Sequence, residues 1–399
     1  MLEPRNILVR GPNWTGDLVM ATPSFRALRE RFPAARITLL LRTGLKELLA
    51  GAPWFDELLE MQSYHGGARA LLREAVSLRR RRFDLGVCLP DSFSSALLLR
   101  LAGVRPCLGY RRGVRGFLLD LKPEWPQGKQ TSGNPLGREV EGGLPGGRME
   151  SDPFDEDAGD GAETRQNWIA RERHVLALLR SLGCWDDDTR LELFTTSEEE
   201  RAVDELLAKH ELLSGRPLAV LAPGASYGSS KLWPAASFAE VGDRLYTEGV
   251  AVAVAGAPAE RELAERVVGA MRAPAACLAG ELRLGTLKAL LRRARLLVCN
   301  DAGARHIAVA FGVPCVVLMG PTSLLKTNLN LERVQVLTAD VPCRPCYLRE
   351  CPIDHRCMTR IEPKRVAEAA LAALISPIYL RAGSGRAESV VLGTRGERS

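Results

Sequence analysis

Three short stretches bring together residue types that could handle a phosphorylated ligand, and each follows an apolar run of strand length. The first is Gly11-Pro12-Asn13-Trp14-Thr15-Gly16-Asp17-Leu18, directly after Ile7-Leu8-Val9. Two glycines five apart after a strand resemble the opening of a phosphate-binding loop, GxxxxGK[ST], but Asp17 and Leu18 stand where that motif carries Lys and Ser or Thr. A carboxylate there repels phosphate. Two readings of Asp17 are open: an N-cap for the helix that follows, or a general base held near a substrate hydroxyl.

The second stretch runs from Ala222 to Pro234 (APGASYGSSKLWP). Small hydroxyl residues and glycine leave backbone N–H groups open, and Lys231 adds a compact positive charge, a combination suited to a diphosphate. A solvated loop lysine is the alternative. The third stretch is Asn300-Asp301-Ala302-Gly303-Ala304-Arg305-His306, between a strand and a helix. Gly303 lets backbone approach a ligand, and the helix N-terminus offers N–H donors to phosphate. Asp301 either caps that helix or binds a ligand hydroxyl. His306, one turn in, either faces a cleft or is a satisfied helix histidine.

Thiols cluster in a fourth stretch, CRPCYLRECPIDHRC, with Cys343, Cys346, Cys351 and Cys357 and with His355 nearby. CxxC followed closely by two more thiols is a pattern for a zinc or iron–sulfur site. The spacing after Cys346 is tighter than in common zinc knuckles, so a structural or redox-labile thiol loop is the other reading. The remaining six of the ten cysteines are scattered. Cys88, Cys299 and Cys315 sit in apolar runs where Cys is a small core residue. No GxGxxG follows the first strand, which disfavours a nicotinamide or flavin site, and HExxH and GxSxG are absent.

The elements that must position these stretches alternate along 399 residues that are 46% hydrophobic and 26% charged, enough chain for two domains. A strand at 7–9 leads to an amphipathic helix over 17–32, stopped by Pro33. Strands at 37–41 and 85–89 and a helix over 94–101 follow. Repeated strand–loop–helix units imply an α/β architecture with parallel sheets covered on both faces. Residues 126–165 are rich in Gly, Pro and acid and read as a disordered insertion. A helix over 173–182 closes at Gly183. The second block carries strands at 218–221, 250–255, 296–299 and 315–319. Its helices are expected over 235–248, 260–270, 284–293, 304–311 and 362–375. Two doubly wound domains in tandem place a ligand in the cleft between the carboxyl ends of both sheets.

The net charge is +6, but residues 1–125 alone carry 20 Lys and Arg against 12 Asp and Glu, while 126–170 carry 4 against 9. A basic N-terminal half favours an anionic partner such as nucleic acid, anionic lipid or a phosphorylated glycan. For the run Arg79-Arg80-Arg81-Arg82 a solvated face is the alternative. The N-terminal residues lack an apolar core of signal-peptide length, no run approaches a membrane span, and the expectation is a cytoplasmic protein.

Taken together, RGPNWTGDLVMATPSFRALRERFP, LAPGASYGSSKLWP and NDAGARHIAVAFGVP resemble the lipopolysaccharide heptosyltransferases of glycosyltransferase family 9. The segment CRPCYLRECPIDHRCM, followed by an Ile-Glu-Pro helix start, resembles the second heptosyltransferase of that family more than the first. The resemblance covers roughly residues 5–125 and 173–375. It implies a GT-B fold: two Rossmann-like domains, over 1–185 and 186–380, facing across a cleft, with a flexible tail over 381–399. It further implies an inverting enzyme that moves heptose from ADP-heptose to the heptose/Kdo inner core of lipopolysaccharide, with no cofactor required. Asp17 corresponds to the family's proposed base. Lys231 corresponds to its diphosphate contact, and Ser226, Tyr227, Asp301, Gly303 and His306 to the rest of its donor site. Glu260 corresponds to a contact with the adenosine ribose. The arginines of GYRRGVRG (Arg111, Arg112 and Arg115) suit an acceptor bearing carboxylates and phosphates. The implied partners are a nucleotide sugar, the inner core and the cytoplasmic face of the inner membrane, not nucleic acid. Two departures stand out: Ala302 where the family often has Ser, and Thr322-Ser323-Leu324 where Thr-Asp-Pro is common. Other donor sugars or acceptors within the family remain open, as does a non-catalytic metal or redox protein built on the cysteine cluster.

Overall fold

The computed structural model describes residues 2–61, 67–126, 169–212 and 215–375. Nearly all of the acidic insertion expected at 126–165, and the tail expected from 381, lie outside the described residues. The chain forms two parallel sheets. The first is built from β1 (Asn6–Arg10), α1 (Thr15–Met20), α2 (Thr22–Arg31), β2 (Arg36–Leu41), β3 (Glu57–Glu60), α3 (Gly67–Arg79), β4 (Leu85–Cys88), α4 (Phe93–Leu101) and β5 (Cys107–Leu108). Its strand order is β3-β2-β1-β4-β5, all parallel. Helix α5 (Arg171–Leu179) packs back onto α2, and the 3-10 turn that follows it ends at Gly183, which is left-handed with φ 83°.

The second sheet follows α6 (Ser197–Lys209). It comprises β6 (Leu218–Ala222), α7 (Ala235–Thr247), β7 (Ala251–Val254), α8 (Arg261–Ala270), β8 (Ala276–Cys277), α9 (Leu284–Arg293), β9 (Leu296–Asn300), α10 (Gly303–Ala310), β10 (Cys315–Leu318) and β11 (Val334–Leu337). Its order is β11-β10-β9-β6-β7-β8, again all parallel. Two helices follow β11 among the described residues, α11 (Arg356–Thr359) and α12 (Pro363–Ile375). The domain boundary expected at 185/186 falls in the stretch between α5 and α6.

Burial explains the strand sequences. In β4, β7, β9 and β10 every residue is buried, because helices cover both faces, so these strands read as continuous apolar runs rather than alternating ones. Helix α6 begins where Thr196 Oγ1 accepts from Glu199 N at 3.2 Å and Glu199 returns a carboxylate to Thr196 N at 2.8 Å. That reciprocal pair satisfies two otherwise orphaned donors.

One expected element is corrected. The single helix over 17–32 is two helices, broken at Ala21. Pro23 lies in the first turn of α2, where its missing N–H costs nothing, and Thr22 Oγ1 donates back to Val19 O at 2.7 Å.

Among the described residues the two domains touch in several places, Asn330 Nδ2 donating to Glu172 Oε1 at 3.2 Å among them, and two contacts bear on the site. Helices α1 and α10 pack together. At the other contact, the fully buried Lys288 of α9 donates to Glu47 O (2.8 Å) and Ala50 O (3.1 Å) of the first domain and pairs with Glu199 at 3.1 Å.

Candidate active site

The first loop is held from beneath by Arg10, the last residue of β1, which is 1% exposed and donates to Gly11 O and to Asn13 Oδ1. Beyond that loop α1 begins, with Trp14 at the N-cap and no side-chain cap bond. Asp17 is therefore not the cap; it is the third residue of α1. Its side chain is 26% exposed, and Oδ1 lies 3.8 Å from Arg171 Nε of α5.

The third loop arrives from the other domain. Ala302 is the N-cap of α10 and supplies no side-chain bond, so the hydroxyl contact that serine would offer is absent. Gly16 and Gly303 make the junction of α1 and α10 possible. A Cβ on Gly16 would stand 3.1 Å from His306 Cδ2, and one on Gly303 would stand 3.0 Å from Thr15 Cβ. Without side chains there, the first turns of two helices from two different sheets lie against each other. His306 is buried at that seam, and burial together with the neighbouring Arg305 depresses its pKa to about 3. It is a neutral imidazole.

Asp301 and Lys231, 70 residues apart in sequence, form the charged centre of the second domain's side. Lys231 Nζ lies 2.7 Å from Asp301 Oδ2 and also donates to Asp301 O at 3.1 Å. Thr322 Oγ1 donates to the same carboxylate at 2.8 Å, and Arg305 stands 3.7 Å from its other oxygen. Burial alone would raise the pKa of Asp301, but Lys231 and Arg305 outweigh it and hold the value at about 2. Asn300, fully buried, ties the second and third loops: Nδ2 donates to Pro223 O at 2.7 Å and Oδ1 accepts from Trp233 N at 3.3 Å.

Around this pair, Tyr227 places its ring 4.9 Å from Lys231 Nζ, and Ser226 is exposed. Glu260 accepts from Ala257 N at 2.8 Å, and its carboxylate lies where a Cβ on Gly224 would be, over the end of β6. Thus Ser226, Tyr227, Lys231, Glu260 and Asp301 stand in the loops leaving the carboxyl ends of β6, β7 and β9, and Gly303 and His306 in the first turn of the helix after β9.

The arginine cluster divides. Arg115 is corrected: it is 1% exposed, pairs with Asp91 at 2.7 Å and donates to Tyr110 O and Pro90 O, so its guanidinium is consumed inside the first domain. Arg112 lies 5.6 Å from the Trp125 ring with its side chain 20% exposed. Arg111 is exposed and lines a groove with Lys122, Glu124 and Trp125.

All four clustered cysteines are free thiols, with Cys357 buried. Its pKa is pushed up to about 11 by burial and by Cys343, Cys346 and Cys351. Among the described residues, no group of three or more His, Cys, Asp or Glu is arranged to hold a metal ion. Arg10 and Asn300 escaped the sequence reading of the site. A charged residue ending an apolar strand, and an amide opening the NDAG turn, were their only signals.

Two all-parallel α/β domains, with these loops gathered where they meet, have the GT-B architecture of glycosyltransferases. The family model for glycosyltransferase family 9 (heptosyltransferase) matches residues 71–131 and 153–356, and the chain belongs to that family. It is 29% identical to lipopolysaccharide heptosyltransferase 2 of Salmonella typhimurium over 327 residues, covering 79% of this chain and 83% of the relative. It is 28% identical to lipooligosaccharide heptosyltransferase 2 of Haemophilus influenzae, covering 80% and 84%. Among solved structures it superposes on the ADP-heptose LPS heptosyltransferase II of E. coli with a TM-score of 0.71 at 25% identity, covering 93% of this chain and 98% of the other. The family 9 transferase of Veillonella parvula shares the fold, with a TM-score of 0.73 at 21% identity over 93% and 97%. The chain is thus an enzyme, a family 9 glycosyltransferase similar to the second heptosyltransferases, and the reading of a non-catalytic metal or redox protein falls.

Proposed function

We propose that this chain transfers heptose from ADP-heptose to a heptose/Kdo inner-core acceptor by a single displacement with inversion, with Asp17 as general base. The observation that carries this reading is the seam of α1 and α10. It sets the first turn of α1, the helix that carries Asp17, against the first turn of α10, which follows the other domain's third loop. The Asp17 carboxylate takes the proton of an acceptor hydroxyl, whose oxygen attacks the anomeric carbon from the face opposite the diphosphate. The bond from that carbon to the diphosphate oxygen breaks, and ADP leaves with the electron pair.

Negative charge then grows on the diphosphate, where Lys231 and the N-terminal N–H groups of α10 lie to meet it; a charge-assisted hydrogen bond contributes roughly 1.5–3 kcal/mol. With the charge met by these groups, the proposed reaction needs no cofactor. Asp301 holds Lys231 in place, the neutral His306 offers a hydrogen bond rather than a charge, and Ser226 and Tyr227 flank the diphosphate. Glu260, at the end of β7, reaches the ribose. Arg111 and Arg112 face the acidic groups of the acceptor, and the enzyme works at the cytoplasmic face of the inner membrane. No helix of the described residues is long and apolar enough to cross a membrane.

The test is transfer from ADP-heptose to acceptors carrying zero, one or two heptoses, with the anomeric configuration of the product read by NMR. The expected outcome is transfer to the one-heptose acceptor with inversion. Retention of configuration, or no transfer to any of the three, contradicts the proposal.

A further inference from the structure

The outward side of helices α3 and α4 takes no part in the reaction proposed above. The two helices pack against each other on one face of the first sheet, with Leu8 and Leu40 beneath them, while α2 and α5 cover Ile7 and Val9 on the other. Helix α3 buries Ala70, Ala75 and Leu78. Its other side carries Arg69, Leu72, Arg73 and Val76, with Arg80 just past its end. All five are exposed, at the three- and four-residue spacing that lines up one stripe of a helix.

The 3-10 turn Gly113–Leu118, packed beside α4, is pinned from within. Leu118 is buried, and the Arg115 guanidinium reaches inward to Asp91, Pro90 O and Tyr110 O. The residues flanking that pin are turned out. Val114 is 76% exposed and Phe117 67%, and the Phe117 ring lies 6.2 Å from that of Phe93, itself exposed at the start of α4. Arg111 lies along the turn; a Cβ on Gly116 would stand 3.1 Å from its Cγ. Large apolar side chains clustered in water mark a surface that meets something less polar. Basic charge surrounds them: residues 67–125 carry 12 Lys and Arg against 5 Asp and Glu. Three of those acids are engaged within the fold, Asp84 by the backbone N–H groups of Arg5 and Asn6, Asp91 by Arg115 and Asp120 by Arg100.

Apolar side chains ringed by long cations match an anionic bilayer, where the rings enter the acyl boundary and the guanidinium groups stay among the phosphates. Nucleic acid would meet the charges but leave Val114 and Phe117 in water. We propose that the α3 stripe and the turn Gly113–Leu118 form the surface by which the enzyme docks on a bilayer rich in anionic phospholipid, with Val114 and Phe117 entering it. Phe93 and the turn follow the carboxyl ends of β4 and β5, the edge of the sheet at which α1 and Asp17 also start. Docking therefore turns that edge toward a membrane-held acceptor. The proposal rests on the reading that the acceptor is the inner core of a lipid-linked glycan.

The experiment is co-sedimentation of the full chain with vesicles of equal parts phosphatidylglycerol and phosphatidylcholine, and with phosphatidylcholine alone. Wild type is compared with Val114→Ser/Phe117→Ser and with Arg69→Glu/Arg73→Glu. Each is checked by a thermal melt and by transfer to two acceptors, one held in the same vesicles by its acyl chains and one without acyl chains. Wild type is expected to bind the anionic vesicles at least about tenfold more tightly than the neutral ones, and each variant to lose about tenfold with an unchanged melt. In both variants the KM for the vesicle-held acceptor is expected to rise about tenfold, while that for the acyl-free acceptor stays within about twofold. A wild type that leaves the anionic vesicles unbound, whether or not it binds duplex DNA, overturns the proposal. So do variants that bind as wild type does, or a wild-type dimer that the substitutions split into monomers without any vesicle binding. The expected pattern of vesicle binding without transfer to either acceptor supports the surface and overturns the reading of the acceptor.

Discussion

His306 is neutral across the pH range in which an enzyme works, and the reason lies in its burial and in Arg305 beside it. The folded state resists protonation down to about 3, whereas in the unfolded chain histidine takes up a proton near 6.5. Between those values the unfolded state binds more protons, so stability falls as the pH falls. His306→Gln removes that dependence. Its unfolding free energy is expected to decline less between pH 7 and pH 4.5 than that of wild type, by about 1–3 kcal/mol, read from denaturant unfolding at each pH. Parallel declines contradict the neutral-imidazole assignment. Asp301 also resists protonation, but there it is the charged form that the fold holds. Its stabilising ion pair with Lys231 is present at neutral pH and is lost only as the pH falls from about 4 toward 2. At this scale the sequence was readable by type but not by direction. Asp17, Lys231, Asp301 and His306 stood out by position after strands. Arg115 looked like its neighbours Arg111 and Arg112, because the partner that buries it, Asp91, lies 24 residues back and enters only through the fold.

The junction of α1 and α10 depends on two glycines, and the prediction at the scale of elements concerns one of them. Gly16→Val places two methyl groups against His306, where even a Cβ stands 3.1 Å from the ring. Overpacking a close helix contact forces a backbone shift. Transfer is expected to fall at least about tenfold while ADP affinity, which depends on the second domain, stays within about twofold. Unchanged turnover would mean that the two helices need not touch for reaction. The elements themselves were legible where burial writes a long signal. Helix α9 lies where its apolar spacing put it, and β6, β9 and α12 differ from expectation by a residue at one end. Two 13-residue helices, α3 and α6, also escaped, each burying only three residues; the others that escaped are short or lie at sheet edges. β5 and β8 have two residues each, too few for any periodicity, and β3 and β11 are only half-buried edge strands. The break at Ala21 escaped because α1 and α2 bury one continuous apolar face, and Pro23 was the only punctuation.

The whole molecule is two domains joined by unlike contacts. Lys288, paired with Glu199 inside the second domain, ties them by donating to the carbonyls of Glu47 and Ala50, with Glu47 accepting in return from Gly285 N at 3.0 Å. The α1–α10 seam ties them through bare backbone. The first contact carries no chemistry and fixes position; the second lies where the loops converge. Legibility at this scale was uneven for a physical reason. The tandem order of strand, loop and helix announces two doubly wound domains, but the facing of one loop on another is set by side chains hundreds of residues apart. The site therefore became visible in the sequence only through three loops taken together. The central claim is that Asp17 is the base of a split site whose donor half lies in the other domain. It is tested most directly by steady-state transfer with Asp17→Asn, measured alongside ADP binding to the same protein. The account predicts that kcat falls by about 10²–10⁴ while ADP affinity is unchanged; wild-type turnover in that variant, or a loss of ADP binding that matches the loss of rate, would contradict it.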